Sequence, residues 1–559
     1  MKLRRPRSWV QWLRKLCQGF CLVLFLWLVL AARFGDGKSA SPLLSLFFDL
    51  DPLVFLSTFL STHAITKSLL FALITLVATL LLGRVFCGWV CPLGAAHALA
   101  GWFRARRKGR IVAETRSPWQ RVKYITFTAF IVMAAFGVHW VGILDPMPLF
   151  YRSVTTGVLP AAQYAVEDTS TYLYRADPRV GGVRATAFSE PVYQFFRDKV
   201  FQVARQSFDN GTLISLLFIL IVALNFVKPR FWCRYICPLG GMLGALARRP
   251  VMRLHNDPKT CKSCGVCAMN CPAAAQPDKQ GDWLPTECFG CWNCVASCKQ
   301  GSLSFRFEPP FTKAETGAID FSRRMTLAAG IGGLAAIGGL RVAPQGRDKQ
   351  PFPDTLIRPP GARKEREFVQ RCLSCGVCMR ACPTNGLQPA SLEAGLEGLW
   401  TPRLVPKIGY CHFECNLCGQ VCPTEAIQKL TVPEKKQLKI GLATFDTSRC
   451  LPHNYGRECL VCEEHCPVPK KAIYLVPRET TLRDGTKKTI KVPYVDPDLC
   501  TGCGLCEWSC VFQDRAAIRV TSANESRHPN NQPILPGAYS GAATGTSGTS
   551  GSGGDPYGG

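Results

Sequence analysis

Cysteine recurs in this chain in runs of four, with two, two and three residues between them, and that spacing constrains the fold more than any other feature. Cys261, Cys264, Cys267 and Cys271 form one run, closed by Pro272; Cys288, Cys291, Cys294 and Cys298 form a second. A loop that tight holds three thiolates around one [4Fe–4S] cubane, and the fourth cysteine of each run reaches the other cluster. The spacing assigns Cys261, Cys264, Cys267 and Cys298 to one cluster and Cys288, Cys291, Cys294 and Cys271 to its partner. Zinc uses Cys-x2-Cys pairs split by a spacer, which a run closed by proline does not fit. Four more groups follow. They are Cys372, Cys375, Cys378, Cys382; then Cys411, Cys415, Cys418, Cys422; then Cys450, Cys459, Cys462, Cys466; then Cys500, Cys503, Cys506, Cys510. These sixteen suffice for four more cubanes with no cysteine left over, which makes six [4Fe–4S] clusters in all. Ligand exchange between groups is expected here too. The pairing expected is first with fourth and second with third, with pairing in chain order as the alternative.

At 559 residues the chain has room for three to four domains. A disulfide scaffold is excluded, being a device of short secreted chains. The formal net charge is +27, with 47% apolar residues. A uniformly basic surface would point to nucleic acid, but here the excess sits in blocks beside apolar runs, so no nucleic-acid partner is expected. Five apolar stretches occur, at roughly 16–32, 68–86, 122–144, 211–228 and 325–340. The first four, at about 20 residues, are long enough to span a hydrocarbon core of about 30 Å as helices. Residues 1–15 carry six Lys/Arg and no acid, 101–123 carry eight against Glu114, and 228–262 carry eight against Asp257; the loops at 33–67 and 141–210 are balanced. Basic loops stay cytoplasmic. The expected fold is a polytopic α-helical membrane domain (four spans, 1–250, plus a fifth signal-anchor-like helix) with two α+β ferredoxin-like iron–sulfur modules. The N-terminus and the first module (251–310) are expected inside.

The membrane half contains a repeat. Phe86-Cys87-Gly-Trp-Val-Cys91-Pro-Leu-Gly94 matches Trp232-Cys233-Arg-Tyr-Ile-Cys237-Pro-Leu-Gly240, and upstream Leu50-Asp51-Pro52 matches Leu144-Asp145-Pro146. The second copy carries an insertion at about 150–205. Two such hairpins are expected to face each other and gather the four cysteines. The bland alternative is four small side chains in packed helix ends, but two identical copies at one depth favour redox or metal chemistry, since thiolates are soft ligands. Cys17 and Cys21 share the spacing without the Pro-Leu-Gly context and read as small hydrophobic residues. Asp51, Asp145 and His63, placed near the outer surface, are the candidates for a quinol site. His97 and His139 read as polar residues at helix ends rather than haem ligands, and no Cys-x-x-Cys-His exists for c-type haem.

Ser322-Arg323-Arg324 followed by a Gly/Ala-rich apolar run (321–341) resembles a twin-arginine export signal. A Pro-rich linker (342–361) leads to the four-cluster domain (362–520), expected outside. The Gly/Ser/Thr-rich tail (521–559) cannot build a core.

On these motifs, residues 1–300 resemble the NapH/MauN group of membrane ferredoxin proteins, related through Cys-x-x-x-Cys-Pro to NosR and CcoG. Residues 321–520 resemble NapG/MauM, exported proteins with four [4Fe–4S] clusters, down to the Arg-Arg pair and the Cys450-x8-Cys459 spacing. The two look fused here. The resemblance implies a protein of the bacterial inner membrane that takes electrons from the quinol pool and passes them to a periplasmic oxidoreductase or c-type cytochrome. A quinol-dehydrogenase-type subunit of this kind leaves the terminal reductase to another protein. The rival reading is a CcoG-like metal-reducing or maturation factor, against which stand the absence of a Met-rich cluster and the presence of a second cluster domain. One difficulty is left: the two modules are expected on opposite sides of the hydrocarbon core, too far apart for one fast electron step. A cofactor at Cys87, Cys91, Cys233 and Cys237, or a quinone, would bridge it.

Overall fold

The computed structural model describes residues 9–32, 42–65, 70–108, 114, 116–176, 179–180, 183–184, 186–201, 205–278, 283–309, 322–341, 352–481 and 487–531. Its helices are apolar on the wrong side for a water-soluble domain. The helix Trp9–Ala31 buries Gln11, Arg14 and Gln18 and exposes Trp9, Trp12, Leu16, Phe20, Val23 and Trp27. Ala72–Leu82 buries Thr75 and Thr79 and exposes Leu73, Ile74, Val77, Leu80 and Leu81. Gly211–Ala223 exposes Leu213, Leu216, Leu217, Ile219 and Leu220. In water this arrangement would forfeit the burial that drives folding.

The helices are shorter than the apolar stretches. Among the described residues Trp9–Ala31 alone is long and apolar enough to cross a membrane, and the pair Leu43–Asp49 and Pro52–Thr62, bent by 83°, passes the same test together; Ala72–Leu82 and Gly211–Phe226 are apolar but shorter. Four full-length spans are therefore not what the described residues give. The 68–86 stretch is interrupted at Gly83 (φ 77°) and resumes as a π-turn, Phe86–Val90. The 122–144 stretch stops at Ala135, because Gly137 (φ 78°) turns the chain. The segment behind the arginine pair forms a helix, Arg323–Arg341, that packs on Val122–Ala135 where Gly333 meets the Ala129 backbone.

Both Leu-Asp-Pro copies lie at helix breaks. Asp51 caps Pro52–Thr62 by accepting from Leu53 N–H at 2.9 Å, and Asp145 caps Pro146–Ser153 by accepting from Met147 N–H at 3.4 Å. Proline at the first helical position suits both. The insertion in the second copy folds as the helices Leu159–Ala176 and Thr186–Lys199.

Small antiparallel sheets hold the cysteine loops. Met252–Asn256 pairs with Leu303–Phe307 and encloses the first two runs; Leu442–Phe445 pairs with Ile518–Thr521 and encloses the last two groups. Leu387–Pro389 pairs with Pro402–Leu404 between the third and fourth runs of the chain, and Ile473–Thr481 forms a long hairpin with Lys487–Val495. The second module also begins earlier and ends later than its cysteines. Phe352, Leu356, Ile357 and Arg358, expected in an extended linker, are buried, and Phe352 N–H donates to Asn531 Oδ1 at 3.1 Å. Residues 342–351 and the tail beyond 531 lie outside the described residues.

The modules dock at opposite ends of the helical domain. Helix Trp9–Ala31 is a ruler: Gln11 Nε2 donates to Asn293 of the first module at 3.2 Å, and the Val29 carbonyl accepts from Arg380 of the second at 3.1 Å. Eighteen residues of helix put about 27 Å between those contacts. Each docking site is a glycine. A Cβ on Gly88 would lie 2.3 Å from the Phe289 carbonyl oxygen, and one on Gly142 would lie 2.1 Å from that of Leu373.

Candidate iron–sulfur centres and the repeat interface

The cysteine loops close into recesses lined by four sulfurs each. One holds Cys271, Cys288, Cys291 and Cys294 among Trp283, Phe289 and Phe305. Others hold Cys372, Cys375, Cys378 and Cys422; Cys382, Cys411, Cys415 and Cys418; and Cys450, Cys459, Cys462 and Cys510. Their empty volumes are similar, from about 320 to about 410 Å³. Cys506 faces Cys500, Cys503 and Cys466, which makes a further set of four. Cys267 faces Cys264, and Cys298, of the same expected set, lies 3.1 Å from Ser302 Oγ.

The donors fit a cubane and not a lone ion. Among the described residues no three His, Cys, Asp or Glu converge on a point where one ion would sit, and every cysteine is a free thiol. Backbone N–H groups point at the sulfurs, from Ala275 to Cys271 at 3.4 Å, Ser374 to Cys372 at 3.5 Å and Ala517 to Cys510 at 3.4 Å. Burial pushes the thiols of Cys372 and Cys462 up to about 12 and that of Cys450 to about 11. Four thiolates can coexist in such a recess only around a strongly cationic core.

The pairing corrects the expectation. The first group shares its recess with Cys422 of the second, and the second takes Cys382 of the first; the third takes Cys510 and the fourth takes Cys466. First with fourth and second with third is wrong, and chain order holds. The reason lies in the sheets: the Leu387–Leu404 hairpin and the Ala362–Ile427 bridge fold the first two groups onto each other before the third begins. The four sets then form a line. Cys378 neighbours Cys418, Cys411 N–H donates to the Cys503 carbonyl at 2.8 Å, and Cys506 neighbours Cys462.

A separate group sits at the repeat interface. Cys91 lies near Cys87 and Cys233, and Cys237 near Cys233 and Cys87. Gly94 N–H donates to Cys91 Sγ at 3.3 Å and Gly240 N–H to Cys237 Sγ at 3.2 Å, one bond from each copy. Arg84 donates to the Cys233 carbonyl at 3.4 Å while Arg230 donates to that of Cys87 at 2.9 Å. Both guanidiniums lie over the Phe289 ring, at 5.1 and 4.7 Å. Glu287 of the first module joins Arg84 at 3.5 Å and is hydrogen-bonded by Lys123. Arg84 and Arg230 stand three residues before the first cysteine of each copy, so the repeat itself carried the signal that the sequence reading missed.

Asp51 and Asp145 are not near a surface. Both are fully buried and hydrogen-bond each other, and Asp145 neighbours Cys87 and Cys237. Asp51 Oδ2 and Asp145 Oδ1 find no other donor among the described residues. Two carboxylates in contact cannot both be ionised, so one proton lies between them. His63 is elsewhere, exposed at the end of Pro52–Thr62 with φ 52°. His97 and His139 are buried, bonded to Asn225 and Ser57, and Cys17 and Cys21 hydrogen-bond each other. Glu114, the lone acid of its basic loop, ties Arg104, Lys228 and Arg234 together across the two copies.

Comparison with known proteins agrees with these centres. A family described as "4Fe-4S binding domain" matches residues 66–111 and 210–256, the two copies of the repeat, and another of the same description matches 493–510. The methylamine utilization ferredoxin-type protein MauM of Paracoccus denitrificans is 35% identical over 37% of this chain and 89% of its own length. The ferredoxin-type protein NapG of Escherichia coli is 35% identical over 37% of this chain and 87% of its own. YccM of Escherichia coli, a protein named for electron transport, is 29% identical over 53% of this chain and 71% of its own. No solved structure matches.

Proposed function

We propose, since this chain belongs to the ferredoxin-type iron–sulfur family of MauM and NapG, that it lies across a cytoplasmic membrane and carries electrons from quinol to a redox protein on the far side. The observation that carries this reading is the docking of two cysteine-rich modules at opposite ends of one helical domain whose outward faces are apolar. Bound clusters supply one-electron carriers whose potentials are set by charge, hydrogen bonds and solvent. The 24 ligand cysteines hold them as grouped above, Cys261 and Cys264 included.

The chain's own residues do the rest. Leu73, Ile74, Val77, Leu216 and Leu220 face outward, as a hydrocarbon solvent favours. The Lys/Arg-rich loops keep the first module inside, which leaves the second module in the periplasm, where its far end, at Cys450, Cys459, Cys462 and Cys510, meets the acceptor. The Asp51–Asp145 pair keeps one exchangeable proton in the interior, where quinol oxidation must release protons. His63 stands too far along its helix to share that role.

The test uses right-side-out membrane vesicles holding the full chain. Protease added outside should cleave within 352–531 and spare 252–309, and a reduced short-chain quinol should bleach the visible iron–sulfur absorption. Protection of both modules, or no bleaching with quinol, overturns the reading.

A further inference from the structure

We infer that Arg152, a residue of the helical domain, sets the potential of the cluster held by Cys372, Cys375, Cys378 and Cys422 in the second module. Docking thereby makes that cluster the point where electrons enter the module, a role that rests on the proposed transmembrane path. Place is the first argument. Arg152 is the last residue but one of the helix Pro146–Ser153, which Asp145 caps at its other end. Its Nη1 donates at 2.8 Å to the carbonyl of Ser374, inside the first cysteine loop of the module. A Cβ on Gly376 of the same loop would lie 3.5 Å from the Arg152 Cα. Tyr151, next in the helix, neighbours Cys375 and Cys378. The Trp400 ring, 4.5 Å from the guanidinium, holds it in place.

The second argument is charge. Arg152 is buried and has no acidic partner among the described residues. Its hydrogen bonds go to three neutral carbonyls, those of Gly142, Ile143 and Ser374, and its Nε finds no acceptor among the described residues. The ionisable groups that neighbour it are Cys375 and Cys372. A buried cation without an anion is strongly destabilising, and cluster thiolates supply that anion. The module's own cation near Cys372, Arg358, is already neutralised by Glu365 at 2.6 Å. The second set is built otherwise: Lys435, a residue of the module, neighbours Cys411, Cys415 and Cys418. The third argument is sign. One-electron reduction adds a negative charge beside a fixed positive one, which favours the reduced state and raises the potential. A module that leaves the helical domain loses this cation, and its first cluster becomes a poorer acceptor.

The test is a redox titration of anaerobically purified full chain with dithionite and mediators, followed by electron paramagnetic resonance. The signal of this cluster is the one altered in Cys375→Ser. Arg152→Gln should cut its reduced-to-oxidised ratio at a fixed potential about tenfold, or about 59 mV for a one-electron couple, and leave the other signals in place. Arg152→Lys, which keeps the charge, should stay near the unaltered value. Should Arg152→Gln fail to fold, Gly142→Ala gives the answer, because it loosens the module and leaves Arg152 intact; the same signal should move the same way. A midpoint that stays put in either variant, or that falls as far with lysine as with glutamine, overturns the proposal. The titration uses no quinol, so this proposal and quinol oxidation can fail separately.

Discussion

Glu365 shows how much one buried carboxylate can organise. Burial pushes its carboxyl up, but Arg358 at 2.6 Å and Arg527 at 3.1 Å more than offset that and hold it at about 2. A depressed native value means that the ion pairs stabilise fully above the ordinary carboxylate range and that this stability is lost as pH falls from about 4 toward 2. Thermal unfolding of the second module followed against pH should show that decline. Glu365→Ala should flatten it and lower stability by about 3 kcal/mol, since the buried Arg358 loses its acid while the half-buried Arg527 keeps Glu525 at 2.9 Å. At the repeat interface, Asp51→Asn gives Asp145 an amide donor in place of the shared proton. Infrared difference spectra should lose a protonated-carboxyl band while the cysteine recesses still take up iron; an unchanged band would refute the shared proton. The ligand cysteines are legible in the sequence because a cubane dictates the spacing. The aspartate pair is only half legible: the repeat gives equivalence, but not that helix breaks drive both residues inward.

At the scale of elements, glycine decides where the modules sit. Gly88→Ala should loosen the first module and Gly142→Ala the second, because each Cβ would overlap a backbone carbonyl that cannot rotate away. Limited proteolysis of the intact protein should then release 252–309 in one variant and 352–531 in the other. Ligand exchange gives a sharper test. Cys382→Ser should produce the spectral change of Cys411→Ser and not that of Cys375→Ser, since Cys382 lies in the second recess. This pairing is hidden from the sequence, because spacing fixes one loop around its own cluster and says nothing about which loop comes to close it. Helix lengths are misread for a related reason: hydropathy marks 122–144 as one stretch, while the left-handed Gly137 ends the helix at Ala135.

Over the whole molecule the centres fall into one order. The first module, the helical domain and the four cysteine sets of the second module follow one another, and the last set lies beside the Leu451–Asn454 turn and Pro493. The second module meets the helical domain through Arg152, which donates to the Ser374 carbonyl at 2.8 Å and stacks over Trp400 at 4.5 Å. The helix Arg323–Arg341 joins the modules covalently, and its last residue donates to the Phe136 carbonyl at 2.9 Å at the end where the second module docks. A tether of that kind replaces an encounter between two proteins with an effective concentration set by linker geometry. The interface around Gly142 can therefore be weak, dissociate and re-form within one molecule, and remain occupied at any cellular abundance. Two separate chains meeting at the same surface would be held only by their affinity and would come apart on dilution.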